Sequence, residues 1–318
     1  MFSVAHQAGE PGPTAGERLF KKNGGVLCAR RTRRFEVIAG HQGSYPMGLM
    51  CRALQVSTSG FYAWQDREPS AREVENQAIL EEMRKIHRKY RRSYGSPRMS
   101  QELVDRGHRC GRGRVARLMR KNGIAAKPRK RFVATTDSNH GLPVAKNLLD
   151  REFTPSASNR VWVSDITFLR TLTGWLYVAV TLELFSRKVV GWATGSSIDA
   201  ELVIRALRMA VETRRPERGL IHHSDQGSQY ASDAFQKVLK EFGMICSMSR
   251  RANCWDNAPM ESFFGSMKVE WLEEIYGNQE QATQDVFEYI EVFYNRERRH
   301  STLGGINPSR FEDLNITT

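Results

Sequence analysis

Apolar positions along the chain follow one period in its first half and another in its second. Between Phe35 and Trp64, Leu49, Met50 and Leu54 make one helical face, and Ser57 is placed to cap a second helix bearing Phe61, Tyr62 and Trp64. Two short helices joined by a tight turn give residues 35–70 a helix-turn-helix outline. Ile79, Met83, Ile86 and Tyr90 then recur at helical spacing until Gly95–Pro97 interrupts them. Ser100 is placed to cap a short helix that stops at Gly107, and Val115, Leu118 and Met119 mark a third, ended by Gly123. This predicts a second all-α module over residues 75–135. Residues 1–34 mix Gly, Pro and basic side chains without a sustained apolar period, so a disordered leader is expected there. The polar stretch 136–158 reads as a linker able to track a nucleic-acid backbone.

Beyond residue 158 the period shortens to that of strands. Val161–Leu169, Trp175–Leu184 and Lys188–Ala193 are rich in β-branched and aromatic residues, with a turn at Leu172–Gly174 between the first two. Asp199–Arg214 is amphipathic at the helical period, and the short apolar run Leu220–His223 suits a buried strand. A helix near Ser228–Phe242 leads to a last strand at Met244–Met248, and two longer helices follow near Asp256–Ile275 and Gln281–Arg296. Three antiparallel strands, then helix, strand, helix, strand and helix, is the order of an RNase H-like α/β fold, a mixed sheet with flanking helices. That core is expected over 159–276, with a C-terminal helix and basic tail over 277–318.

Charge separates the same two halves. Residues 1–150 carry 29 Lys and Arg against 13 Asp and Glu, a net of +16, whereas residues 151–318 carry 19 against 22, a net of −3. A basic helical module can lay one helix in a major groove and hold phosphates with the rest. Arg98, Arg112, Arg114 and Arg117 are therefore candidate DNA contacts, with Lys127, Arg129, Lys130 and Arg131 of the KPRKR run beside them. A small helical bundle with a merely solvated basic surface has the same composition. No apolar run reaches the length of a membrane span. The cysteines, Cys28, Cys51, Cys110, Cys246 and Cys254, are odd in number and contain no CxxC pair, and no apolar signal segment opens the chain. A reduced, cytoplasmic protein is expected.

Three acids stand out against this frame. Asp165 lies in the first strand (VWVSDITF), Asp225 just beyond the fourth (LIHHSDQGSQY), and Glu261 within a helix (NCWDNAPMESFFGSMK). In the strand order above, the first and fourth strands are neighbours and the helix passes beside their ends, so three carboxylates converge. Convergent carboxylates repel, and divalent cations relieve the repulsion; Mg²⁺ takes hard oxygen ligands and completes its shell with water and substrate phosphate. Two such ions about 4 Å apart activate an attacking oxygen and stabilise a leaving one, with no protein nucleophile. Singly, each acid also reads as a turn or helix cap. His222 and His223, with Cys246 and Cys254 downstream, match no zinc finger or ribbon spacing. Asn257 either starts its helix or touches substrate, and Trp255 and Trp271 either stack on a base or pack in the core. His300 sits in a basic tail, contacting phosphate or simply solvated.

The chain resembles the OrfB-type insertion-sequence transposases, whose catalytic core is similar to retroviral integrase. The resemblance is carried by the Asp165 strand, HSDQGSQY around Asp225, DNAPMESFFGSMKVE around Glu261 and YNRERRHSTLGGINP from Tyr294 to Pro308, in order from Phe35 almost to the end. Thirty-five residues lie between Asp225 and Glu261, the family's D-D-35-E arrangement. Lys268 follows Glu261 by seven, where the family keeps a basic residue; two helical turns put it on the Glu261 face, within reach of DNA phosphate. The resemblance implies an integrase-type core in which Asp165, Asp225 and Glu261 hold two Mg²⁺ ions, with Mn²⁺ as a substitute. It further implies cleavage of DNA 3′ ends and strand transfer of the freed hydroxyl, a homo-multimer joining two element ends, and a bacterial, nucleoid-associated location. Glu183 stands where related sequences usually have Asp and is read as non-catalytic. These enzymes resemble products of two overlapping frames, the upstream one adding a helix-turn-helix and a leucine zipper. No heptads precede Phe35, so the chain is expected to be the downstream product, with the upstream-frame product as a partner. Two rival functions fit parts of the pattern: a DNA-binding regulator with an idle core, and an RNase H-like nuclease that leaves the basic modules unexplained.

Overall fold

Short amphipathic helices cannot hold themselves up in water and must share apolar walls. In the computed structural model, which describes residues 30–128, 142–250 and 254–315, the chain divides into two units, Met1–Gln77 and Ala78–Thr318. In the first, α1 (Arg31–Gly40), α2 (Met47–Ala53) and α3 (Thr58–Gln65) gather Phe35, Ile38, Met50, Leu54 and Phe61 into one buried cluster. The Ser57 hydroxyl caps α3 by accepting the Gly60 N–H at 3.1 Å. Helix α1 begins inside the expected leader, because Phe35 and Ile38 supply the third wall that α2 and α3 lack. The leader's residues 1–29 lie outside the described residues.

Helix α4 (Ala71–Lys89) carries Ile79, Leu80, Met83 and Ile86 into the core of the second unit, followed by α5 (Ser96–Asp105) and α6 (Arg112–Lys121). Gly95–Pro97 starts α5 instead of ending its predecessor, since the fixed φ of proline suits a first helical turn. Ser100 consequently lies within α5, its hydroxyl donating to the Cys110 carbonyl at 3.4 Å. Gly123 ends the α6 segment as expected, with φ +65°.

Five strands, β1 (Val161–Thr171), β2 (Gly174–Glu183), β3 (Val189–Gly195), β4 (Ile221–Ser224) and β5 (Ile245–Met248), form one sheet in the order β3-β2-β1-β4-β5. The first three are antiparallel neighbours, and β4 and β5 join parallel beside β1. Side chains alternate across the sheet. Trp162 faces a cluster built with α7 (Ala200–Arg214) and α9 (Asp233–Glu241). Val161 and Val163 face α10 (Ala258–Glu270), α11 (Gln279–Phe287) and the π-helical turn Glu288–Tyr294. The helix expected near Ser228–Phe242 is split into α8 (Ser228–Ala231) and α9, because the Ser232 hydroxyl caps α9 through the Phe235 N–H. The last helix is α12 (Pro308–Asn315).

Two expected segments make contacts beyond their own bounds. The basic module shares its core with the sheet: Tyr90 stacks on Tyr94 at 4.2 Å and meets Phe293 at 5.9 Å. Part of the expected linker is also docked. The Leu148 N–H donates to Ser247 Oγ at 2.9 Å, Leu149 is buried, and Asn147 and Arg151 both donate to Asp256. Residues 129–141 lie outside the described residues.

One contact fixes how closely α7 lies on the sheet. A Cβ at Gly191 would stand 2.2 Å from the Ala206 carbonyl oxygen and 2.7 Å from the Ala210 nitrogen. Backbone atoms cannot turn aside as a side chain would, so Gly191→Ala is expected to cost at least about 1–3 kcal/mol. A thermal melt checks this; an unchanged midpoint contradicts the close packing.

Candidate active site

The parallel register of β1 and β4 pairs Val161 with Ile221 and Val163 with His223. Carried two residues further, it sets Asp225 level with Asp165, and neighbouring strands run about 4.8 Å apart. Asp165 leaves the sheet on the Val163 side, toward α10. The first residue before α10, Asn257, is buried and donates from Nδ2 to the Ser164 carbonyl at 3.4 Å, tying the start of that helix beside Asp165. Glu261 lies one turn further and Lys268 two turns beyond that, on one helical face.

Electrostatics report the convergence. Burial pushes the Asp165 carboxyl well above its usual value, and the charges of Asp225 and Glu261 push it further, opposed by the Ile166 N–H and by Lys268. The Ile166 N–H donates to Asp165 Oδ1 at 2.7 Å. Burial likewise raises Glu261 and lowers Lys268, with Asp165 working against the latter shift. Asp225 is oriented by the Gly227 N–H, 3.0 Å from its Oδ1. Among the described residues, no three His, Cys, Asp or Glu side chains already enclose a metal position. Unneutralised carboxylates are expected to stand apart in this way. The donor set itself, all hard oxygen with mutual repulsion, suits Mg²⁺ or Mn²⁺ and not a soft-ligand metal.

Supporting groups surround the acids, some of them invisible to motif reading. Under Asp165, the Ser164 hydroxyl lies 2.9 Å from both Thr181 Oγ1 and His222 Nε2. Tyr230 is buried, and its phenol is pushed well above its usual value by burial and then by the charges of Asp165 and Asp225. It stood in the HSDQGSQY segment, but nothing in the spacing marked it. Asp256, fully buried, accepts from Arg250 at 2.8 Å, Arg151 at 3.0 Å and Asn147 at 2.9 Å, and so pins the turn that delivers α10. Glu183 is also fully buried and accepts the Phe185 and Ser186 N–H groups, so it builds the β2–β3 turn.

His222 and His223 point to opposite faces of β4. Burial pushes them down to about 3 and about 4, so both are neutral near pH 7. His223 lies between Ser247 and Ser249, and Cys246 accepts from Gln236; among the described residues no His and Cys group gathers as a metal site.

The expected DNA contacts divide. Arg112 and Arg117 are exposed on α6 and Arg114 is half-buried there. Arg98 and Lys127 instead turn toward α10, donating to the Glu270 carboxylate at 2.8 Å and to its carbonyl at 3.4 Å. Asn257 stands at the N-cap position of α10, as a helix-start residue does, but its buried side chain makes no cap hydrogen bond and reaches the Ser164 carbonyl of β1 instead. His300 is corrected outright: it is buried, its ring packs edge-on to Tyr294 at 4.7 Å, and burial beside Arg298 holds it well below its usual value. A neutral, enclosed imidazole cannot meet phosphate. Trp271 stacks on Phe293 at 4.8 Å in the core, whereas Trp255 is 68% exposed. Arg129, Lys130 and Arg131 lie outside the described residues.

With this geometry in place, comparisons with known proteins define the class. The integrase core domain family matches residues 155–254 and again 243–308, and an HTH-like domain family matches 74–132. The chain is 44% identical over 265 residues to the insertion element IS600 uncharacterized 31 kDa protein of Shigella sonnei, covering 83% of this chain and 97% of that one. It is 40% identical over 286 residues to transposase InsF for insertion sequence IS3A of Escherichia coli (strain K12), covering 89% and 99%. Among solved structures, it is similar to a simian T-cell lymphotropic virus intasome (TM-score 0.41, 14% identity, 71% of this chain and 73% of that one). It is also similar to the HTLV-2 integrase catalytic core in complex with magnesium (TM-score 0.37, 14% identity, 49% and 97%). The chain belongs to the IS3 family of insertion-sequence transposases, with an integrase core domain and an HTH-like domain. No helix among the described residues is long and apolar enough to cross a membrane.

Proposed function

We propose that this transposase cuts DNA 3′ ends and transfers the freed hydroxyl to target DNA at a site where Asp165, Asp225 and Glu261 hold two Mg²⁺ ions, with Mn²⁺ able to replace them. The observation that carries the proposal is the strand register that sets Asp225 level with Asp165, with Asn257 tying the start of the Glu261 helix to the Ser164 carbonyl beside them. When bound, the ions supply Lewis-acid charge to the phosphate and its attacking oxygen. Lys268 draws a DNA phosphate to the acids, Gly227 and Ile166 fix two of the carboxylates through their N–H groups, and Asn257 holds α10 at its working distance. Arg112, Arg114 and Arg117 supply phosphate contacts from α6. Joining two ends calls for a homo-multimer, with the upstream-frame product as a further partner, and the working place is the bacterial nucleoid.

Purified protein given DNA bearing the element's ends should nick and join it with Mg²⁺ and do neither in EDTA. Salt-sensitive binding without any cleaved product would favour the regulator with an idle core. For the helical contacts, Arg112→Ala/Arg117→Ala is expected to make the slope of log affinity against log salt shallower by about 2, while His300→Gln leaves it unchanged. A double variant with the wild-type slope would remove α6 from the DNA interface.

A further inference from the structure

The strand and helix that carry Asp165 and Glu261 also build a second hollow. A cleft of about 750 Å³ opens along α10, lined by Phe168, Arg170 and Trp175 of the β1–β2 hairpin together with Lys268 and Lys127. None of the three acids lines the cleft, but Lys268, two helical turns beyond Glu261, is shared between the cleft and the carboxylates. Phe168 and Trp175 meet edge to face with centroids 5.2 Å apart, and the Lys268 ammonium lies 5.1 Å from the Phe168 centroid. Trp175 keeps 47% of its surface exposed.

This aromatic wall is held in place. The Tyr276 N–H donates to the Arg170 carbonyl at 3.0 Å, and the Leu172 N–H donates to the Tyr276 carbonyl at 2.9 Å, locking the hairpin tip to the segment after α10. Two aromatic rings beside three cations match the chemistry of an unstacked nucleotide, whose base offers a π face and whose phosphate needs positive charge. The volume suits one nucleotide and not a duplex. Glu273 and Glu274 also line the cleft, and their charges favour a phosphate nearer the lysines than themselves.

We infer that this cleft takes one unstacked nucleotide of the DNA strand beside the phosphate being cut, with its base against Trp175 and Phe168 and its phosphate at Lys268. The inference rests on Asp165, Asp225 and Glu261 being the cutting site, because their position says which nucleotide is meant.

Two arms test it with full-length protein. In the first, ends carrying 2-aminopurine at single positions around the cut are bound to Asp165→Asn protein, which keeps the cleft without cutting. A fluorescence change confined to one position is expected; it should vanish when Trp175→Ala is added and persist with Trp175→Phe. In the second, Trp175→Ala alone should cut normal ends about tenfold more slowly than wild type, yet cut ends abasic at that position as fast as wild type cuts those same abasic ends. No position-specific change in the first arm, or an equal defect on normal and abasic ends in the second, overturns the cleft. If wild type cuts no end at all, the metal-site proposal fails, and the fluorescence arm still decides the cleft.

Discussion

Asp165→Asn is expected to raise the melting temperature of the metal-free protein and to abolish the further rise that Mg²⁺ gives wild type. Asp165 is partly buried, faces the charges of Asp225 and Glu261, and is helped only by one N–H and by Lys268. The amide is isosteric, keeps an oxygen to accept the Ile166 N–H, and removes one of three repelling charges. Each kcal/mol relieved is worth about 2–4 °C in a unit of this size. A bound cation stabilises the folded state by mass action, so wild type should gain at millimolar Mg²⁺ what the variant no longer can. Equal Mg²⁺ shifts in both proteins would place the cation elsewhere.

The second large effect concerns the polar knot behind α10. Arg298 is only 4% exposed; its Nε donates to Glu270 Oε2 at 2.5 Å and its Nη2 to Oε1 at 2.8 Å and to Ser266 at 3.2 Å. Arg98 reaches the same carboxylate from α5 at 2.8 Å, so one buried acid joins the HTH-like region, the Glu261 helix and the C-terminal segment. Removing one partner of a buried pair strands the other, at about 3–5 kcal/mol. Arg298→Ala should fall toward the lower end, because Arg98 still attends Glu270. Glu270→Ala should cost more, because it strands the better-buried Arg298. Glu270→Gln with Arg298→Met should lose less than either, since the charge left behind is that of Arg98, which keeps 24% of its side chain exposed to water. Urea denaturation midpoints give the order, and a reversed order would mean the knot is not what holds these elements.

The sign of the pH dependence follows from the same carboxylate. Burial pushes Glu270 up, but the hydrogen bonds and charge of Arg298 and the charge of Arg98 outweigh it, leaving Glu270 below its ordinary 4.5. A depressed acid stabilises the fold fully above its unfolded value, and that contribution is lost as pH falls through the lower, folded value. Wild type and Glu270→Gln should therefore converge in stability only below about pH 4.5.

Much of this was legible in the residues because local period and distant motif agreed. Val161, Val163 and Trp162 alternate as a strand buried on two faces, and that alternation aims Asp165 at the helix bearing Glu261. The parallel pairing of β1 with β4, which sets Asp225 level with Asp165, follows from a strand–helix–strand order. What was not legible depends on contacts between segments remote in sequence. Helix α1 is rich in Arg and buries Phe35 and Ile38, with Val37 and Ala39 beside them, so its core role appears only once α2 and α3 close over it. His300 looked like a tail cation because its neighbours are basic, but Tyr294 and Arg298 enclose it. Asp256 opens the DNAPMESFFGSMKVE motif, but its anchoring role needs Asn147 and Arg151, which lie more than a hundred residues earlier in the sequence.

The central claim is that Asp165, Asp225 and Glu261 act as one metal-holding unit. The most direct measurement is the rate of Mg²⁺-dependent 3′-end cleavage by wild type, by Asp165→Asn, Asp225→Asn and Glu261→Gln, and by the triple variant, with DNA binding measured alongside. Each single variant should lose at least about 10³-fold while binding DNA normally, and the triple variant should lose no more than a single one, because parts of a unit do not fail additively. A single variant that cuts at the wild-type rate, or losses that multiply in the triple variant, would contradict it.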